Sequence, residues 1–257
     1  MELISIAAAL GCQHVCLFTH VAPEALNLFP CNWDIETRRA VKKRCEETGV
    51  SANSLEYFDV FPGIDLDSYR KSLEIGAELG ARCATTHVHA EDLAWAIDNF
   101  ARFCEITAEF GISASIEFTR LCGVATLRES IEIVKGANMG NGGIALDTLH
   151  WFRSGADVDD LIRLDRALVK SVQISDGPLD IPPGDAYGIE TVFERRIPGE
   201  GEFPLRELAQ YFPPGMVVDV EVPLQSYRQR GVGALERARL AVDGARRVLS
   251  PMSLTTA

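Results

Sequence analysis

Three carboxylates and one amide recur along this chain at intervals that one pocket could use. They are Glu117, Asp147, Gln173 and Glu221, separated by 30, 26 and 48 residues. Each stands at or near the end of a short apolar run, in ISASIEF, GGIALD, VKSVQIS and MVVDVEV. Carboxylates gathered in one cavity repel and raise one another's pKa unless a cation neutralises them. The set therefore points to a bound divalent metal. His150 follows Asp147 by three residues in LDTLHWFRSG, with Arg153 just beyond. Asp147 also has a plainer reading, because an aspartate between a strand and a helix commonly caps that helix.

These residues need strands that end at a common mouth. Gly142–Leu146 is small and apolar without alternation, as expected for a parallel strand covered on both faces. Further strands are predicted at 14–18, 50–58, 82–89, 112–118, 169–175 and 216–222. Helices are predicted at 2–10, 34–48, 66–80, 92–110, 127–135, 158–168, 205–211 and 233–249. Glycines at 11, 49, 80 and 111 stop four of them. Strict alternation of strand and helix argues for a parallel sheet with helices outside. At 257 residues a single-domain α/β (β/α)₈ TIM barrel outranks an open doubly wound sheet, and no GxGxxG follows a strand. In a barrel, strand carboxyl ends carry the chemistry. Glu56 falls at such an end, and the TTHVH run places His87 and His89 on one side by period two. His14 and His20 are further candidates for the mouth.

The tally of seven strands leaves one short of a full barrel, because the chain opens on a helix where a first strand is expected. Residues 2–6 could serve as that strand, the barrel could be open there, or a longer chain could supply it. The Pro- and Gly-rich stretch 177–201 is expected to form a lid or binding loop, and the tail from Ser250 is expected to be loose.

Composition narrows the function. With 47% hydrophobic and 24% charged residues the chain can bury a substantial core. A net charge of −12 opposes a surface that tracks phosphate backbones, so nucleic acid is not an expected partner. No apolar run has the length of a membrane span and no signal sequence opens the chain. Seven cysteines without a CxxC pair read as reduced thiols in a cytoplasmic protein.

SIEF, LDTLHWFRSG, VQISDGP, ERRIPGEGEF and VVDVEV together resemble the xylose isomerase-like superfamily of sugar phosphate isomerases and epimerases, which includes tagatose 3-epimerase, hydroxypyruvate isomerase, inosose dehydratase and endonuclease IV. The resemblance covers nearly the whole chain. It implies Glu117, Asp147, Gln173 and Glu221 as ligands of one divalent ion, with Gln173 standing where the family usually has histidine. An all-oxygen set favours Mn²⁺, with Mg²⁺, Co²⁺ and Zn²⁺ as alternatives. It also implies Glu117 and Glu221 as the catalytic pair, and His150 and Arg196 as substrate contacts. His87, His89 and Glu56 are secondary contacts. The implied reaction is metal-dependent isomerisation or epimerisation of a sugar or related polyhydroxy carbonyl compound. One glutamate removes a C–H proton and an ene-diolate returns it to another carbon or face. The resemblance also allows a homodimer.

Two other readings stay open. The same enolate could expel a β-substituent, making the enzyme a lyase or dehydratase, or the barrel could bind a small polar molecule without turning it over, which Gln173 favours. Phosphodiester hydrolysis of the endonuclease IV kind is disfavoured, because it uses several metals held by many histidines and this acidic chain has five.

Overall fold

The alternating pattern folds as a barrel. The computed structural model describes residues 1–20, 32–90 and 92–250. Cys31 and the tail beyond Ser250 lie outside them. In chain order the elements are α1 (Glu2–Ala9), β1 (His14–Phe18), α2 (Ile35–Thr48), β2 (Ser51–Val60), α3 (Arg70–Glu78), β3 (Cys83–Val88), α4 (Leu93–Ala108), β4 (Ser113–Glu117), α5 (Leu127–Ala137) and β5 (Gly142–Asp147). There follow α6 (Thr148–Arg153), α7 (Val158–Arg163), β6 (Val169–Ile174), α8 (Ala186–Phe193), α9 (Leu205–Ala209), β7 (Val218–Val220), α10 (Gln225–Gln229) and α11 (Ala234–Leu249). The seven strands pair in sequence order, every pair parallel.

The barrel is nearly closed. Among the described residues no pairing joins β7 to β1, and a cavity of about 1260 Å³ lies at that seam, bordered by Val15 and Cys16 on one side and by Val218 and Val220 on the other. Residues 2–6 are helical, so they do not supply the missing strand.

Local signals explain the element ends. The Asp34 side chain accepts from the Thr37 N–H to start α2, and Gly49, at φ 72°, ends it in the left-handed region that glycine enters without strain. Thr126 and Glu129 form a reciprocal capping box on α5. Gly143 is required for a different reason. A Cβ there would lie 2.2 Å from the backbone oxygen of Leu168, which can withdraw only by shifting the backbone that leads into β6. Gly143→Ala is expected to destabilise the protein by about 1–3 kcal/mol, the usual range for overpacking, read as a lower urea midpoint at unchanged slope.

Several boundaries differ from the sequence reading. The helix expected at 66–80 begins as a 3₁₀ turn, Leu66–Tyr69, and the one expected at 158–168 ends at Arg163 and resumes as a 3₁₀ turn, Arg166–Leu168. The last strand is only Val218–Val220. The 177–201 excursion contains α8, and α6 and α10 are additional short helices. Strand β2 runs past Glu56 to Val60. Leu55 pairs with Ala84 but Phe58 pairs with Thr86, so one extra residue bulges out and Glu56 sits in that bulge instead of at the strand end. Bulges of this kind re-aim side chains next to active sites.

Period two then stacks two polar layers inside the barrel. Ser54, Ser115, Ser171 and Asp219 form a floor, with Ser54 Oγ donating to Asp219 Oδ2 at 2.6 Å and the Ser115 and Ser171 hydroxyls 3.3 Å apart. Two residues further along the same strands come Glu56, Glu117, Gln173 and Glu221. The small hydroxyl residues leave room for the longer side chains above them.

Candidate functional site

The site assembles at the carboxyl ends of the strands, as two groups of side chains joined by an arginine. In the first, one ligand atom from each of Glu117, Asp147 and His150 lies within 4.8 Å of the others, and all three residues are buried. In the second, Gln173 Nε2 donates to Glu56 Oε1 at 2.5 Å and to Glu221 Oε2 at 2.8 Å. Arg195, buried, spans the two groups. Its Nη1 donates to Asp147 Oδ2 at 2.7 Å and its Nη2 lies 3.1 Å from Glu221 Oε1.

Asp147 is the helix cap that its position offered, and its second oxygen faces Arg195. Oδ1 accepts from the His150 N–H at 2.9 Å and caps α6, while Oδ2 takes Arg195. The cap fixes the carboxylate and also turns the chain so that His150 lands beside it. His150 Nδ1 lies 2.9 Å from the Tyr187 hydroxyl, which lies 2.9 Å from Thr119 Oγ1. Helix α8 is thereby docked over the mouth. Burial pushes the His150 pKa down, against the opposing pull of the Asp147 and Glu117 charges.

A second buried contact holds α8. Arg153 donates twice to Glu190, at 2.7 and 2.6 Å, and its guanidinium lies over the Phe203 ring, 5.2 Å from the centroid. Phe152 stacks on the same ring at 4.0 Å, with Trp151 edge-on to Phe152, so this pair is a packing wall. Removing one partner of a buried ion pair costs about 3–5 kcal/mol, since the other charge stays buried. Arg153→Met is expected to show that loss in urea unfolding and faster amide exchange across 186–193. Arg153→Met with Glu190→Gln should recover part of it.

The electrostatics set the carboxylates apart. Burial pushes Glu56 well above the usual carboxylate range, with the charges of Glu221 and Glu117 adding to it. Glu221 is pushed up to about 8, by burial and by Asp147 and Glu117 against the pull of Arg195, although about a third (34%) of its side chain remains exposed. Burial raises Glu117 as well, but the His87 hydrogen bond at 2.5 Å and the nearby imidazoles outweigh it, and the net direction is down. Asp147 is likewise lowered, burial being overcome by Arg195 and His150.

These donors fit a divalent ion. Glu117 Oε1 and Gln173 Oε1 are buried acceptors without a hydrogen-bond partner, a costly state that a cation relieves. With all four ionised, Glu56, Glu117, Asp147 and Glu221 would exceed Arg195 and a protonated His87 by two negative charges, which a divalent ion would balance. Gln173 presents its NH₂ to two carboxylates, as the donor end of an amide must beside acceptors.

Of the other residues singled out in the sequence, some meet this centre and others do not. His87 lies against Glu117, and His89 Nε2 is 2.7 Å from Asp59 Oδ1. Arg196 is exposed, its backbone paired with Asp176. The arginine inside the site is its neighbour, Arg195. That residue's N–H bonds to Pro223 while that of Arg196 bonds to Asp176, so the segment is extended and successive side chains point oppositely. Period two applied to ERRIP is the signal that would separate the two arginines. Asp176 accepts from the backbone of Gly177, Gly199 and Phe203 and ties the excursion at its base. His14 pairs with Ser51 at the amino end of the strands, away from the mouth, and His20 packs on Phe58 and Tyr69.

Known proteins share this architecture. The family model described as xylose isomerase-like TIM barrel matches residues 4–212. Inosose isomerase of Bacillus subtilis (strain 168) is 28% identical over 111 residues, 42% of this chain and 38% of that protein. The match thus spans well under half of that relative's length. Among solved structures, the IolI protein with a binding zinc atom superposes with a TM-score of 0.80 at 20% identity, over 97% of this chain and 93% of that one. The probable 3-DHS dehydratase AsbF from Bacillus anthracis gives 0.69 at 17% identity, covering 97% and 93%. D-psicose 3-epimerase with D-tagatose from Clostridium cellulolyticum H10 gives 0.68 at 15% identity, covering 96% and 93%. At these identities the structural likenesses show the fold.

Proposed function

The chain belongs to the xylose isomerase-like TIM-barrel family, and from that premise we propose a divalent-metal-dependent isomerase or epimerase acting on a sugar or related polyhydroxy carbonyl compound. The observation that carries this reading is the pair Glu117 and Glu221, held in one mouth with their pKa values driven in opposite directions. Two carboxyl groups whose surroundings separate them in this way supply a base and an acid at neutral pH. Glu117, ionised, takes the proton from the carbon beside the carbonyl. Glu221, whose carboxyl pKa is pushed up to about 8 by burial before any cation is bound, returns one from its own side.

The metal would be held by Glu117, Asp147, Gln173 and Glu221, with His150 beside them, and would polarise the substrate carbonyl. Manganese suits the oxygen donors, and zinc is the alternative because the similar IolI structure carries it. Arg195 keeps Asp147 and Glu221 at a set separation. His150, oriented by Tyr187, hydrogen-bonds a substrate hydroxyl, and α8 excludes water above it. On this reading the enzyme works in cytoplasmic carbohydrate metabolism as a homodimer, which sedimentation measures directly. Among the described residues no helix is long and apolar enough to cross a membrane.

A second reading, dehydration, is favoured by the raised pKa of Glu221, since a proton held at that position can also assist departure of a β-hydroxyl. Incubation with ketohexoses and inososes in D₂O, with Mn²⁺ added, distinguishes them by proton NMR. The expected result is deuterium uptake at the carbon next to the carbonyl, with formation of an isomer and no loss of water. An unsaturated product would establish the lyase, and no exchange with any substrate in the metal-loaded protein would overturn both.

A further inference from the structure

A second cluster of metal-ligating side chains lies beside the carboxylates. The ends of β2 and β3 and the loop after β4 bring together His87, His89 and Cys122, with one ligand atom from each within 4.8 Å of the others. Cys122 Sγ is 3.9 Å from His89 Nε2, which is 2.7 Å from Asp59 Oδ1. The same Asp59 oxygen is 4.0 Å from His87 Nδ1.

The backbone builds this cluster from three directions. Asp59 and His87 are register partners across β2 and β3. The His89 N–H continues the ladder to Val60 O, so His87 and His89 lie two apart on extended chain and share a face. Cys122 arrives on a tight loop whose Val124 N–H bonds back to Val88 O. At Gly123 a Cβ would lie 2.6 Å from the Ala90 nitrogen. Only glycine lets the loop approach so closely, and that approach sets Cys122 over the histidines.

We propose that His87, His89, Cys122 and Asp59 form a second metal site, of zinc type, distinct from the Glu117 set. Tetrahedral zinc with nitrogen and oxygen at about 2.0–2.1 Å and sulfur at about 2.3 Å spaces its ligand atoms roughly 3.3–3.7 Å apart. The observed separations of 2.7, 3.9 and 4.0 Å bracket that range. Two imidazoles, a thiolate and a carboxylate are a borderline-soft set, matched to zinc over magnesium or calcium. His87 has the second partner that metal-bound histidines characteristically keep, because its Nε2 is 2.5 Å from Glu117 Oε2 while Nδ1 lies on the Asp59 side. Glu117 therefore touches both sites, and an ion on His87 would orient the catalytic carboxylate through the ring. His89 is 37% exposed in its side chain, leaving an entry path from solvent.

Cobalt is the probe, because a cysteine thiolate bound to Co²⁺ gives a near-ultraviolet charge-transfer band that an oxygen-rich site lacks. The chelator-treated full chain is titrated with Co²⁺ while absorbance and bound metal are followed. Two equivalents and the band are expected. Cys122→Ser and His89→Ala, each checked for an unchanged circular dichroism spectrum, should lose one equivalent and the band. Asp147→Ala should lose the other equivalent and keep the band. A band that survives Cys122→Ser, or its absence from the wild-type protein, overturns the second site. A single equivalent without the band that disappears in Asp147→Ala would leave the proposed carboxylate site standing alone. A band that persists with one equivalent in both the wild type and Asp147→Ala would uphold the second site and sink the first.

Discussion

Glu117→Gln is expected to lower turnover by about 10²–10⁴-fold, the range for losing a general base, with the fold intact. Glutamine matches the shape of Glu117, which is buried, and its amide oxygen can still accept from His87 as Glu117 Oε2 does. What disappears is the negative charge. A neutral amide cannot accept a proton from carbon, and it is a poorer partner for a cation than the carboxylate whose Oε1 is unsatisfied. Rate loss and metal loss should therefore occur together, read by deuterium exchange and by metal content of the same preparation. Glu221→Gln should cost a similar factor by removing the acid on the opposite side. Near-normal exchange in either variant would show that the proton moves elsewhere.

Arg195→Met is expected to cost about 3–5 kcal/mol of stability, the usual penalty for stranding one charge of a buried pair. Asp147 is completely buried, and with Arg195 gone its Oδ2 loses its 2.7 Å donor, keeping only the cap at Oδ1. At roughly 2–4 °C per kcal/mol for a chain of this size, the melting temperature should fall by about 6–20 °C. Arg195→Lys should recover little, because a single ammonium cannot repeat the fork that reaches Asp147 and Glu221 together. If a divalent ion occupies the carboxylate set, adding it should raise the melting temperature more in Arg195→Met than in the wild type, since the ion then supplies compensation that Arg195 otherwise gives. A loss under about 1 kcal/mol without metal would mean that Asp147 is not ionised in the folded protein.

The two substitutions probe opposite sides of one balance. Four buried or partly buried carboxyl groups surround the mouth, and their charges are met by Arg195 and His87. Glu56 and Glu221 are pushed up in pKa by burial and by their neighbours' charges, and a divalent cation would favour their ionised forms. Helix α8 packs over this arrangement through Tyr187 and Glu190, so the stability of α8 and the geometry of the mouth share residues.

Much of this was readable before folding. Short runs rich in small and apolar residues around Glu117, Asp147 and Gln173 marked parallel strands and their carboxyl ends, because strand period and burial are local properties of the chain. Charge, cysteine usage and the absence of a nucleotide loop likewise followed from composition and spacing alone. The seven-strand count and the missing strand were visible for the same reason. Tertiary structure decided what local pattern does not encode. The bulge that aims Glu56 depends on the register between β2 and β3. The choice of Arg195 over Arg196 depends on which face of an irregular extended segment meets Asp147, 48 residues earlier. The amide of Gln173 turns toward Glu56, 117 residues away, and Asp59 and Cys122 join His87 and His89 only once a loop folds back on β3. Sequence sets which atoms are available and which way each strand presents them. Barrel closure brings distant atoms within hydrogen-bonding distance, and that distance determines which carboxyl groups stay charged.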